Sequence, residues 1–130
     1  MRGRGAHPRS TCVHGGHMQA SSIVTVTNAS DTLQLARGGA CTLTAARAWQ
    51  SGLAADAYIQ LFDAAATTDV TLGTTAPTWV IMADSATGQV SGGDGLPTHG
   101  LAFRLGIVVA STTTCTGNTG STTQVRLGIL

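Results

Sequence analysis

The run 12-CVHGGH-17 places Cys12, His14 and His17 in a C-x-H-x-x-H spacing, and thiolate and imidazole are both good zinc ligands. A closed structural site needs a fourth ligand, which His7, His99 or a symmetry copy of the run could supply. An extended arm carrying incidental histidines explains the run equally well and is the preferred reading, because short motifs recur by chance. No metal is therefore assigned. His99, in GLPTHG, can act as a general base only with a nucleophile and an orienting group in hydrogen-bond reach. Asp94 is near in sequence and hydroxyls are plentiful, so that neighbourhood does not discriminate. No G-x-S-x-G, H-E-x-x-H or G-x-x-x-x-G-K-[ST] occurs. The six Asp offer no recognisable carboxylate pair for glycoside hydrolysis, and 92-GGDG-95 is a turn signature. The expectation is a protein that is not an enzyme, with no catalytic residue and no cofactor.

Binding is the remaining chemistry. Arg2, Arg4 and Arg9 cluster, yet no aromatic platform lies near them, so single-stranded nucleic acid is not expected; an acidic protein surface would satisfy them. Arg104 and Arg126 each interrupt the polar side of a strand pattern. If that side meets another subunit, they become anchors with Asp partners, since Arg is favoured in interfacial ion pairs. Trp49, Tyr58 and Trp79 could stack on sugars. Tyr58 and Trp79 lie inside strand patterns and read as core, which leaves Trp49 as the glycan-contact candidate.

The scaffold that must position these residues is constrained by composition. With 130 residues the chain fits one domain and can bury a core without disulfides or metal. Every cation is Arg and every anion is Asp; charged residues make up 10% and the net charge is +1, so no field for a nucleic acid or membrane surface arises. No apolar run reaches the ~20 residues of a membrane span. The N-terminal stretch has arginines but no apolar segment of the secretory type. Cys12, Cys41 and Cys115 form an odd set for which reduced thiols are expected.

Residues 1–19 show neither helical nor strand periodicity and read as an extended arm, held in place by a neighbouring subunit; Met18 could be the natural start. Residues 20–130 read as one β domain of about eight short strands separated by turn signals, a β-sandwich of jelly-roll type. SSIVTVT and DTLQLA alternate. In ACTLTAARAWQ, residues Cys41, Leu43, Ala45 and Trp49 share a face that Arg47 interrupts, although 45–57 could hold a short helical turn. In YIQLFD, Ile59 and Leu61 lie on one side and Tyr58, Gln60 and Phe62 on the other. TWVIMA is continuously apolar, which predicts a strand buried on both faces. LAFRLGIVVAS predicts one long strand with Leu101, Phe103, Leu105, Ile107 and Val109 on one face. The expected core is Ile59, Leu61, Val80, Phe103, Leu105, Ile107 and Val109. Many of its neighbours are Ala or Gly, so the core is thin and association with sister subunits would reinforce it.

The segments YIQLFDAA, VTLGTTAPTWVI and GGDGLPTHGLAFRLGIVVASTTT together resemble a pattern of small β-structured virion proteins of tailed bacteriophages. The resemblance covers roughly residues 56–113 and carries no catalytic residues; the extension at 1–17 is outside it. It implies a head decoration (cement) protein, a small tail-associated domain or, less in keeping with a compact chain, a head fibre. It further implies a homotrimer bound to the major capsid protein on the virion surface, assembled in the host cytoplasm. A carbohydrate-binding, adhesin-like module using Trp49 is the alternative.

Overall fold

The computed structural model describes residues 22–49, 56–83, 89–90 and 96–130. The expected arm, with Arg2, Arg4, Arg9, Cys12, His14 and His17, lies outside the described residues. So do Asp94 and the 92–95 turn.

The described residues form nine strands: β1 (Ser22–Ala29), β2 (Gln34–Gly38), β3 (Cys41–Trp49), β4 (Ala57–Asp63), β5 (Trp79–Ala83), β6 (Gln89–Val90), β7 (Leu101–Phe103), β8 (Gly106–Thr112) and β9 (Thr123–Ile129). All their pairings are antiparallel. One sheet runs β1-β9-β3, with β6 and β7 both on β3; the other runs β2-β8-β4-β5. The pairs nest in sequence, β4 with β5, β3 with β6 and β7, β2 with β8, and β1 with β9. The all-β expectation holds, and two antiparallel sheets share one main core.

That core follows from alternation. Val26 of β1, Leu43, Ala46 and Ala48 of β3, and Val125, Leu127 and Ile129 of β9 meet Ile59 and Leu61 of β4, Ile81 of β5, and Ile107 and Val109 of β8. A second, smaller core lies on the far side of the second sheet, where Phe62, Val108 and Ala110 are covered by Ala64 and Val70, with Leu33 and Leu72 packed against them. The Ala- and Thr-rich connection after β4 is thus a cover for the sheet. Two of its hydroxyls serve nearby backbone: that of Thr75 accepts from Thr71 N at 2.9 Å within the connection, and that of Thr78 accepts from Asp63 N at the end of β4 at 3.2 Å.

Gln60 joins this cover from β4. It is fully buried, and its amide Nε2 donates to Thr112 Oγ1 at 2.7 Å and to the Gly117 carbonyl at 3.1 Å. The Thr112 hydroxyl in turn donates to Thr114 O at 2.7 Å, so the loop after β8 is stitched to the sheet. Gln60→Ala should lower stability by about 2 kcal/mol, combining a cavity with a lost pair of partly buried hydrogen bonds. Urea denaturation measures the loss, and hydrogen exchange should accelerate at Thr113 through Gly120 first.

Three expectations are corrected. The 101–111 pattern is two strands rather than one. The chain leaves the first sheet after Phe103, and Gly106 starts β8 in the second. Leu105, expected in the core, sits at that crossover and is 54% exposed, and Arg104 lies in the same turn rather than on a strand. TWVIMA forms an edge strand, because among the described residues β5 pairs only with β4; Val80 is half-buried opposite Gln60 and Met82 is exposed opposite Tyr58. The strands covered on both faces are β4 and β8. Finally, residues 45–49 are strand, and a register shift between Leu43 and Ala45 changes which residues face outward.

Candidate functional site

A β-bulge inserts one residue and so reverses the inside–outside alternation beyond it. In β3 the shift falls at Thr44, whose hydroxyl donates to the Gly128 carbonyl at 3.2 Å. Before it, Cys41 and Leu43 point inward; after it, Ala46 and Ala48 do. Ala45, Arg47 and Trp49 therefore project together from the outer face. Arg47 does not interrupt an apolar row, as alternation alone predicts; it belongs to a solvent-facing one.

Register then sets Arg47 directly opposite Arg126 of β9, and Arg126 opposite Thr25 of β1. Both arginines are exposed. Trp49 stands one pair further along, opposite Gln124, and the Arg126 guanidinium lies 5.3 Å from the centroid of its ring. That distance is within cation–π range, and the attraction orients the guanidinium. Gln124 Nε2 donates to Asn28 Oδ1 at 3.1 Å, closing the row at the edge strand. Beside the arginines the face is flat, formed by Gly128, Ala45 and Thr25, with Ile23 62% exposed at its margin.

Like charges directly opposite one another in an antiparallel pair are destabilising. Within the sheet neither guanidinium stands opposite a carboxylate, since Arg47 faces Arg126 and Arg126 faces Thr25. The structure thus joins two residues picked out from sequence, Arg126 and Trp49, with one that was missed, Arg47. The signal for Arg47 was available: an arginine on an otherwise buried row is costly enough to imply a shifted register.

The other candidates lie elsewhere. Arg104 is near the Cys41 end of β3, since Phe103 pairs with Cys41, roughly 20 Å along the strand from Arg47. Its backbone N–H and that of Leu105 donate to the Asp63 carboxylate at 3.0 and 2.8 Å. Partial burial pushes the Asp63 pKa up. The N–H groups of Arg104, Leu105 and Gly106, with the Arg104 charge, outweigh this and hold it below its ordinary value. This carboxylate organises the crossover. His99 is exposed in the turn before β7. No group of three His, Cys, Asp or Glu among the described residues could hold a metal.

Cys41 is buried and Cys115 exposed. Burial raises the Cys41 thiol pKa, with Arg37 opposing and Asp63 adding to the effect. A neutral maleimide at pH 7 should therefore modify Cys115 within minutes and leave Cys41 intact until unfolding. Peptide mass spectrometry reads both, and rapid native labelling of Cys41 would contradict its burial.

Compared with known proteins, the chain matches no family model, and neither a curated protein nor a solved structure matches it. Function has to be argued from the fold's strand order and from this arginine-bearing face.

Proposed function

We propose that the chain is a structural bacteriophage virion protein without enzymatic activity. In this reading it is a capsid decoration (cement) protein, located on the virion surface and bound as a homotrimer to the major capsid protein. The observation that supports the reading is the strand order, β1-β9-β3 with β6 and β7 against β2-β8-β4-β5, which we read as a jelly-roll interleaving, an architecture of viral capsid and lectin domains. A fold alone does not name a function. The use of the long connections to cover the protein's own sheet adds support, because it spends on packing the loops where chemistry would usually reside.

The arm at 1–19, with Arg2, Arg4 and Arg9, is proposed to anchor the protein on the shell. Decoration would stabilise the shell by mass action, as any ligand of the assembled state does. Light scattering coupled to size exclusion tests the trimer, expected at three times the 13.1 kDa chain mass. Co-sedimentation with undecorated heads of the encoding phage tests the partner, and deletion of residues 1–17 should abolish it without unfolding the domain. A folded monomer that never sediments with heads would sink the proposal. Glycan binding through Trp49 is the second reading, favoured by that residue's place on the outward face; a glycan-array signal lost in Trp49→Ala would promote it.

A further inference from the structure

The outward face of the β1-β9-β3 sheet holds two guanidiniums side by side at registered positions, one of them held over an indole. From this we infer that Arg47 and Arg126, with Trp49 as the support for Arg126, form a carboxylate-binding site that docks an Asp/Glu-rich patch of a partner protein. The inference rests on the reading above in one respect, that the protein's work is to bind another protein's surface.

Three observations lead to it. First, the pair is unfavourable within the sheet: Arg47 lies opposite Arg126, both are exposed, and the residue across from Arg126 on β1 is Thr25 rather than a carboxylate. An anionic partner would turn that repulsion into attraction, and two guanidinium forks suit carboxylates by geometry. Second, Arg126 is already oriented by the Trp49 ring at 5.3 Å, so little of its freedom remains to be lost on binding. Third, the surroundings suit a protein better than a polyanion. The net charge is only +1, and the neighbours are Thr25, Gly128 and the exposed Ile23. Nucleic-acid binding would call for a longer basic stripe. Arginine and tryptophan beside an apolar margin match the composition of protein–protein contact centres.

The test uses the full chain, poly-L-glutamate as probe, and the variants Arg47→Gln, Arg126→Gln and Arg104→Gln. The last removes the same charge at the distant crossover. Arg47→Gln and Arg126→Gln should each weaken poly-L-glutamate binding about tenfold at low salt, the loss of one charge-assisted contact. Arg104→Gln should bind as the parent does. Both face variants should keep the fold; Arg47→Gln should melt roughly 1–3 °C higher because it removes a like-charge neighbour, whereas Arg126→Gln also loses the contact with Trp49 and should melt near the parent. A purely structural role for Arg47 would lower the melting temperature of Arg47→Gln instead. Equal weakening by Arg104→Gln would overturn the site in favour of net charge. Tighter binding to DNA or heparin than to poly-L-glutamate would overturn the partner class. Loss of self-association in the face variants would assign the face to a second copy and overturn the inference too. Undiminished head binding by the Arg47→Gln/Arg126→Gln double variant would sink this inference and leave the virion reading standing. Poly-L-glutamate binding through the pair, without head binding, would do the reverse.

Discussion

Replacing Gly106 by alanine is expected to cost about 4 kcal/mol, a large share of the stability of a domain this size. Gly106 is the residue at which the chain passes from the first sheet to the second, and its φ is 147°. A Cβ there would stand 2.6 Å from the Arg37 carbonyl oxygen and 2.8 Å from that of Ala64. Both oxygens are backbone, one in β2 and one just after β4, so neither can swing aside as a side chain would. Left-handed strain contributes about 1–3 kcal/mol and overpacking a similar amount. Gly39 is the control: its φ is 84°, but a Cβ there meets nothing within 4 Å. Gly39→Ala should therefore lose only about 1 kcal/mol. Thermal melts of the two variants measure the contrast, with a drop of roughly 10–20 °C expected for Gly106→Ala. A Gly106→Ala protein melting within about 2 °C of the parent would mean that the chain does not cross between sheets here.

Removing the Asp63 carboxylate should have the next largest effect, about 3 kcal/mol for Asp63→Ala at pH 7. Two backbone N–H groups, of Arg104 and Leu105, donate to it at 3.0 and 2.8 Å. Hydrogen bonds to a charged acceptor contribute about 1.5 kcal/mol or more each. Those two donors would lose the acceptor that holds them, so the turn that exposes Leu105 would loosen. The pH dependence has a definite sign. The folded-state pKa lies below the ordinary value, so the stabilisation is fully present above the unfolded pKa of about 3.9 and is lost as pH falls from there through the folded pKa. Urea midpoints should thus fall below pH 4 in the parent and change less over that window in Asp63→Asn. Parallel curves for the two proteins would remove Asp63 from the acid response.

Both predictions concern a crossover that local reading of the chain misplaces, and the reason is physical. Strand alternation is a local property with a period of 2, so it is visible in any short window. It correctly marks Ile59 and Leu61 inward, Val125, Leu127 and Ile129 as one buried row, and the turns around Asp31 and Gly39. It fails at 101–111 because alternation continues unbroken through Arg104 and Leu105 while the backbone changes sheets. What breaks the strand there is the Asp63 carboxylate, which reaches the turn from β4, far away in sequence. It fails again in TWVIMA, where an apolar run at an edge looks the same as one in a sheet centre until the pairing partners are known.

The candidate site divides along the same line. The sequence alone determined the all-β class, the absence of Lys and Glu, the small and hydroxyl-rich connections, and the identities of Arg126 and Trp49 as residues worth watching. Only the tertiary structure decided that they meet. The shift at Thr44 turns Arg47 and Trp49 outward, and the pairing of β3 with β9 brings Arg126 opposite the first and over the second. Register between strands distant in the chain is set by the packing of both faces at once, and no single segment contains that information.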